Sequence, residues 1–398
     1  MPQTRSKKLP TLDLGKFRQL YKEFNEGARG FKDVEAFVKQ EAAPILRNGI
    51  VQVSTHEIPT EVKEAAYRDM RTFFALSDEE KNEYVDAEFI SRMPIEDFLS
   101  ESWEKRDEIK KEHTQETGVR PFERGYAPYG TYTKIDWKDM YQIGPERPVK
   151  LYDVETGKHR IEEMSDNIWP TDRIATFKQN VTELQERMEA VVQDGLRIVA
   201  IDLDLDPEFF ASQNQYSLDL LRILNYRPYK DAPEQTTLAK PHVDRNAGTC
   251  MFPESGLQER DIETGKWVDL ETDDGNVVLF TGIVPDAISN GLYPAKLHRV
   301  PGPKPGDVGY DEPRMTVPFF KGMDQDFQIE PVAAAVKEAG KVRYPLSMNY
   351  GQMARDLGSQ WTKAQEYASG EMGLDKVTAD HQVIQKAIDA VYDPALRS

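Results

Sequence analysis

The 398-residue sequence contains one cysteine, Cys250. A single thiol excludes an intrachain disulfide and any cysteine cage for zinc or an iron–sulfur cluster. It fits a reducing compartment. No run of about 18 apolar residues occurs, so no transmembrane helix and no membrane partner are expected. The opening MPQTRSKKLP is basic but leads into no apolar stretch, so it does not read as a secretory signal, and the expected address is cytoplasmic. Neither G-x-G-x-x-G nor G-x-x-x-x-G-K-[ST] is present, which removes the glycine-rich dinucleotide and phosphate loops. Cations are in deficit: 51 Lys and Arg against 69 Asp and Glu give a net charge of −18. That disfavours a broad nucleic-acid surface, so no nucleic-acid partner is expected, while a local basic pocket stays open. Solenoid repeats and low-complexity blocks are also missing. The 25 glycines and 25 prolines are scattered, as in one body with many turns rather than two bodies on a linker.

What is there begins with helical spacing. Phe17, Leu20, Tyr21 and Phe24 recur at helical intervals after Gly15, and Val34, Phe37 and Val38 start a second stripe. Ile50–Val53 reads as a short strand after the Asn48-Gly49 turn. Pro59-Thr60 opens a helix to about Phe74, and Ser77 with Glu80 fits a capping box. Residues 84–170 read as irregular and rich in Gly, Pro and Tyr, either surface loops or a flap over a pocket. There Tyr126, Tyr129, Tyr132 and Trp137 are candidates for pocket lining or for core packing. Ile174, Phe177, Val181, Leu184, Met188 and Val191 mark a long helix, with Thr171 able to cap its start and Gly195 its end. After residue 196 come the β-prone runs RIVAI, LLRILNY, NVVLF, KLHRV and RMTVPFF, without helices between them. This predicts a sandwich or barrel and argues against a Rossmann domain. From about residue 331 the pattern is helical again, with Val383, Ile384, Ala387, Ile388 and Val391 on one apolar face.

Of six histidines, His242 and His298 sit in the strand-like contexts PHVD and KLHRV. Residues i and i+2 of a strand share a face, so His242 and Asp244 can meet one ion, and returning strands can bring His298 as a third ligand. Two imidazoles and one carboxylate on an octahedral ion leave open positions, the facial triad of non-haem iron(II) oxygenases. The ligand types alone leave zinc and manganese open, and a His-x-Asp pair by itself also fits two unrelated surface residues. Arg314 and Thr316 share a face by the same alternation. A guanidinium makes two parallel bonds to a carboxylate and a hydroxyl adds a third, which would anchor the far end of a dicarboxylic cosubstrate. The alternative is an ordinary surface arginine. Arg299, beside His298, reads as a supporting or outward-facing residue.

Several segments then fall into a familiar order. They are LPTLDL at 9–14, NGIVQVSTHEIP at 48–59 with Glu57 in place of a usual glycine, and FFALSDEEKNEY at 73–84. RGYAPYG, NYRP at 225–228, HVD, Thr249, Gly256-Leu257-Gln258 and Trp267 follow, then ISNGLYPAKLHRV at 288–300 and Arg314-x-Thr316. Over roughly residues 8–320 the chain resembles the iron(II)/2-oxoglutarate-dependent dioxygenases, in particular the isopenicillin N synthase-like branch.

The resemblance implies a fold that is mainly β with flanking helices, a double-stranded β-helix (jelly roll, cupin-like). It implies His242, Asp244 and His298 as the catalytic iron ligands and Arg314 with Thr316 as the anchor of 2-oxoglutarate, with O2 as the oxidant. Asn225, Tyr226 and Arg227 would border the cosubstrate. Arg227 stands where the family usually has a tyrosine, and would bind the cosubstrate, bind an acidic substrate or make a salt bridge. The implied layout is a helical region at 1–170 integral to the fold with pocket-covering loops, a catalytic β core with a long support helix at 171–325, and a helical extension at 326–398, all in one unit. The loop carrying GPKPGDVGYDE, longer than usual, would border the entrance.

The implied activity is hydroxylation, or oxidation by cyclisation or desaturation, of an unactivated C–H bond in a small metabolite, amino-acid-derived ones included, with release of succinate and CO2. A carboxylate at position 244 argues against a halogenase. Two alternatives stand beside this: a 2-oxoglutarate-independent iron oxidase of the same branch, and a non-catalytic ligand-binding β-helix module. The expected assembly is a monomer or weak homo-oligomer with a small-molecule substrate.

Overall fold

The computed structural model describes residues 6–54, 58–117, 122–132, 137–153, 158–162, 166–233, 236–261, 264, 266–342 and 348–353. His56, Glu57, His381 and the apolar face at 383–391 lie outside the described residues.

The first helices form where the apolar spacing places them. Leu14–Asn25 is capped by Asp13, whose carboxylate accepts from the Lys16 N–H at 2.9 Å, and buries Leu14 and Phe17. Phe31–Phe37 continues through a π-helical turn at Val38–Ala42 into Ala43–Leu46. Pro44 lacks an N–H, so the ladder cannot run evenly through that turn. Thr60–Phe74 follows, and then Asp78–Asn82 with both halves of the Ser77/Glu80 capping box made.

Residues 84–170 depart from the loop reading. They hold helices Ala87–Arg92, Ile95–Ser100 and Trp103–Thr117, and strands Gly125–Ala127, Lys138–Ile143, Val149–Asp153 and Lys158–Glu162. Two of those helices are a turn and a half long, and WEKRDEIKKEHTQET is polar nearly all round. Neither case leaves an apolar period to read.

The long helix also differs at both ends. It runs Phe177–Asp202, so Thr171 lies before it and Gly195 lies within it. Its first turn is held by buried Asp69, which accepts from Thr176 Oγ1 and Asn180 Nδ2, each at 2.7 Å. RIVAI is its last stretch rather than a strand: Leu196, Ile198, Val199, Ala200 and Ile201 are all buried, with Arg197 partly exposed, and packing in the core overrides β propensity. Gly195 marks a close approach, since a Cβ there would sit 2.8 Å from Leu279 Cδ2 on the sheet below.

Two sheets dominate the rest. A nine-stranded sheet runs Thr11–Leu12, Ile50–Val53, Val277–Thr281, Gly248–Met251, Phe319–Lys321, Leu220–Tyr226, Lys138–Ile143 and Gly125–Ala127, with Arg314–Thr316 also paired to Leu220–Tyr226. A five-stranded sheet runs Ser6–Lys8, Trp267–Glu271, Gln258–Arg260, His298–Val300 and Ala239–His242. One face of the larger sheet packs on the long helix in the main core. Its other face meets the smaller sheet through Leu9, Ile50, Leu257, Val278 and Phe280.

The expectation of a mainly β, double-stranded β-helix is therefore corrected. Helix makes up 39% against 20% strand, and the sheets stack without closing into a barrel. Among the described residues no strand ladder joins one sheet to the other. The helical share grew because residues read as loop or strand, at 87–117 and 196–202, are helical. No described helix is long and apolar enough to cross a membrane.

Candidate metal and cosubstrate site

His242 closes its strand directly opposite His298 on the neighbouring antiparallel strand. Directly opposed residues share a face, and the two rings stand 4.2 Å apart between centroids. Asp244 lies two residues beyond the strand end, so its position depends on the following loop. That loop is pinned by Ile283 N–H donating to the Asp244 carbonyl at 2.8 Å and Ala247 N–H donating to the Lys321 carbonyl at 2.9 Å. Gly282 makes this possible: a Cβ there would run into the Asn246 carbonyl. The result places Asp244 Oδ1 3.7 Å from His242 Nε2 and 3.9 Å from His298 Nε2. One ligand atom from each of the three residues lies within 4.8 Å of the others.

Both rings are oriented from behind. His242 Nδ1 is 2.7 Å from the Lys240 carbonyl, and His298 Nδ1 is 3.0 Å from the Lys296 carbonyl. A carbonyl only accepts, so each Nδ1 carries the proton and each Nε2 presents a lone pair to the cluster. Phe280 packs against the His298 ring at 4.9 Å. Burial first and the His298 ring second push the His242 pKa down to about 4, against the pull of Asp244. A neutral imidazole is the form that binds a metal. The three side chains can hold one divalent ion and leave its remaining positions to small ligands.

The second half of the site lies on the larger sheet. Arg314 pairs with Tyr226 and Thr316 with Leu224, and across the same strand Lys138 also pairs with Tyr226 and Met140 with Leu224. The register Leu220–Phe320–Thr249–Phe280 identifies this face as the one that meets His298. Arg314 is 4% exposed and Thr316 5%. Arg314 Nε and Thr316 Oγ1 are buried with no hydrogen-bond partner among the described residues. Burial pushes the Arg314 pKa down, partly offset by Tyr226 and Glu254. A buried cation with open donors is costly unless an anion completes it, and a carboxylate matches the donor geometry.

Arg227 and Asn225 lie elsewhere. Asn225 is in register with Met315 and Asp139, on the opposite face from Arg314. Arg227 donates to Asp139 from Nη2 at 2.8 Å and Nε at 3.2 Å, and its guanidinium lies over the rings of Tyr129 and Trp137. Of the three roles open to Arg227, the structure shows the salt bridge. A tyrosine does accompany Arg314, one position earlier than the sequence match places it: the Tyr226 ring lies 5.8 Å from the guanidinium. The register of the strand carries this, and no spacing in the sequence announces it. Arg299 points outward, its guanidinium 4.1 Å over Trp267 and its Nε donating to Gln258 at 2.8 Å. Tyr126 is core, packed on Phe73. Lys138 and Phe280 escaped the sequence reading and share the site's face.

Stacked sheets that carry two histidines and a carboxylate beside an anion-ready arginine define a non-haem metal centre of the oxygenase type. Family models agree. Residues 9–172 match the model described as non-haem dioxygenase in morphine synthesis N-terminal, and residues 218–322 match the 2OG-Fe(II) oxygenase superfamily. The chain belongs to the 2-oxoglutarate/iron(II)-dependent dioxygenase superfamily. An Aspergillus fumigatus 2-oxoglutarate-Fe(II) type oxidoreductase is 23% identical over 337 residues, covering 83% of this chain and 89% of its own. Among solved structures, a Caulobacter crescentus protein assigned to the 2OG-Fe(II) oxygenase family has a TM-score of 0.64 at 23% identity, covering 90% of this chain and all (100%) of that one. A full-length Neurospora crassa protein in complex with alpha-KG and thymine has a TM-score of 0.61 at 20% identity, covering 88% of this chain and 96% of that one.

Proposed function

We propose that this chain is an iron(II)- and 2-oxoglutarate-dependent oxygenase of a small metabolite, with His242, Asp244 and His298 as the iron ligands. Iron with 2-oxoglutarate supplies the oxidation of an unactivated C–H bond, coupled to release of succinate and CO2. The chain's own residues position and shield. The Lys240 and Lys296 carbonyls hold both imidazoles in the ligating tautomer. Arg314 and Thr316 receive the far carboxylate of the cosubstrate, with Tyr226 beside them. Phe280 keeps water from one side of His298. Asn225 and Arg227 play no direct part in this scheme: they support the strand from its helix-covered face.

The observation that carries the reading is the pair of buried, unpartnered donors on Arg314 and Thr316, set on the face that meets the His–Asp–His cluster. Hydroxylation is the outcome we assign, since it needs no second substrate group held in place. The Neurospora crassa complex with thymine is a small-molecule complex on the same fold and supports a small substrate. The net charge of −18 supports the absence of a nucleic-acid partner, and the single cysteine, Cys250, supports a reducing, cytoplasmic address. The test is 2-oxoglutarate turnover with iron(II) and O2 against a metabolite library, read by succinate and by product mass. The reading expects equimolar succinate and a product heavier by one oxygen atom. Oxygen uptake without succinate would refute it.

A further inference from the structure

We propose that Glu259 is a further residue of the metal site: a buried anion beside His298 that raises the affinity of the His–Asp–His cluster for a divalent ion and favours its higher oxidation state, while Lys7 limits the effect. The proposal rests on the reading of residues 242, 244 and 298 as the iron ligands.

Strand register places this carboxylate. Glu259 lies directly opposite His298 on one neighbouring antiparallel strand, as His242 does on the other. Directly opposed residues share a face, so one row across the smaller sheet runs His242, His298, Glu259 and Val268. The next pair along the ladder, Arg260 and Leu297, is bridged by a backbone bond of 2.9 Å. Pair types alternate in an antiparallel ladder, so Glu259 and His298 form the close type, with Cα atoms about 4.5 Å apart. Glu259 is 1% exposed, and its face of the sheet is otherwise the apolar layer of Leu257, Leu270 and Val300 against Phe280. Its Oε1 accepts from Lys7 Nζ at 2.6 Å. Its Oε2 is buried with no hydrogen-bond partner among the described residues.

A buried carboxylate with an unmade bond destabilises a fold unless a cation lies nearby. Lys7 is one such cation, at the edge of the sheet and 36% exposed along its side chain. An ion held by the row neighbour His298 is a second. Hydrogen bonding is not the link between Glu259 and the cluster. Both Nδ1 protons already go to the Lys240 and Lys296 carbonyls, and both Nε2 atoms serve the ion. The link is the field. Inside an apolar layer a charge one strand away acts strongly on a cation, and more strongly on a trivalent one than on a divalent one. The Lys7 ammonium sits on the same carboxylate and opposes that field. Removing the carboxylate and removing the ammonium must then shift the metal site in opposite directions. An ion pair that only braces the sheet would give one direction for both.

The experiment uses the full-length metal-free chain at mildly alkaline pH, as wild type, Glu259→Gln and Lys7→Met. Cobalt(II) is the probe for affinity, by calorimetric titration. Iron is the probe for the iron(III)/iron(II) midpoint potential, by spectroelectrochemistry. A melting curve of each metal-free variant reports the fold separately. Glu259→Gln keeps the side-chain shape and removes the charge. Its cobalt(II) affinity is expected to fall about 10- to 100-fold and its iron potential to move positive. Lys7→Met is expected to bind cobalt(II) about 3- to 10-fold more tightly and to move the potential negative, whatever its melting temperature does. A folded Glu259→Gln variant with wild-type affinity and potential overturns the proposal. So does a Lys7→Met variant that fails to move both quantities the other way. If the wild type takes up neither cobalt(II) nor iron(II), the reading of the metal site itself fails and the proposal falls with it. That result is distinct from normal wild-type uptake with an unaltered Glu259→Gln.

Discussion

Arg314 is where chemistry and stability pull apart. Its guanidinium is buried and its Nε donor is unused, a cost carried by the metal- and cosubstrate-free fold. Arg314→Gln is therefore expected to weaken 2-oxoglutarate binding by about 10- to 100-fold, the value of a charge-assisted hydrogen bond. Its thermal stability should stay level or rise. Calorimetric titration with 2-oxoglutarate and a melting curve check the two halves separately, and a lower melting temperature with unchanged affinity would make Arg314 a structural residue. His242 sets a pH dependence. Its pKa falls from 6.5 to about 4 on folding, chiefly through burial, so between those values the unfolded chain binds more protons than the folded one. Stability from this group is present above about pH 6.5 and is lost as the pH falls toward 4. Metal-free protein should show that loss in melting temperature across the window, and His242→Gln should lack that component.

At the scale of elements, the Asp244 loop is held by backbone bonds to the turn beginning at Gly282, which has no room for a Cβ beside the Asn246 carbonyl. Gly282→Ala is expected to cost about 1–3 kcal/mol of stability by overpacking and to weaken iron binding by shifting Asp244. Denaturant unfolding and anaerobic metal titration check it, and a stable variant with normal iron affinity would contradict this role. The same scale shows what was readable beforehand. His242, Asp244 and His298 were legible as candidates in two short motifs, PHVD and KLHRV. The strand alternation expected to join His242 to Asp244 does not apply, because Asp244 lies past its strand and a loop places it. Also legible were the Thr60–Phe74 helix and the Ser77 capping box. The fold class was not. RIVAI has strand composition, yet it ends the long helix, where Ile198, Val199, Ala200 and Ile201 are packed into the core. The polar helix Trp103–Thr117 carries no periodic signal at all. Alternation sets Tyr226 and Arg227 on opposite faces, but which of them accompanies Arg314 depends on pairing with strands about 90 residues away on either side, at Lys138 and Arg314, and nothing within NYRP reveals that.

For the whole molecule, ligands that bind only the folded chain must stabilise it. Iron(II) at a hundredfold excess over its Kd should add about 2.7 kcal/mol, and 2-oxoglutarate at a similar excess should add a comparable increment only when iron is present. Differential scanning calorimetry under anaerobic conditions would register both, and an iron-independent effect of 2-oxoglutarate would place its site away from the cluster. The central claim is that one iron joins residues from two strands and a loop on the smaller sheet, next to a carboxylate anchor on the larger. Its most direct test is an anaerobic iron(II) titration in 2-oxoglutarate, followed by the visible charge-transfer band of the chelate. The account predicts saturation at one iron per chain, with the band absent from both Asp244→Ala and His298→Ala. A band that survives in either variant at wild-type intensity would contradict it.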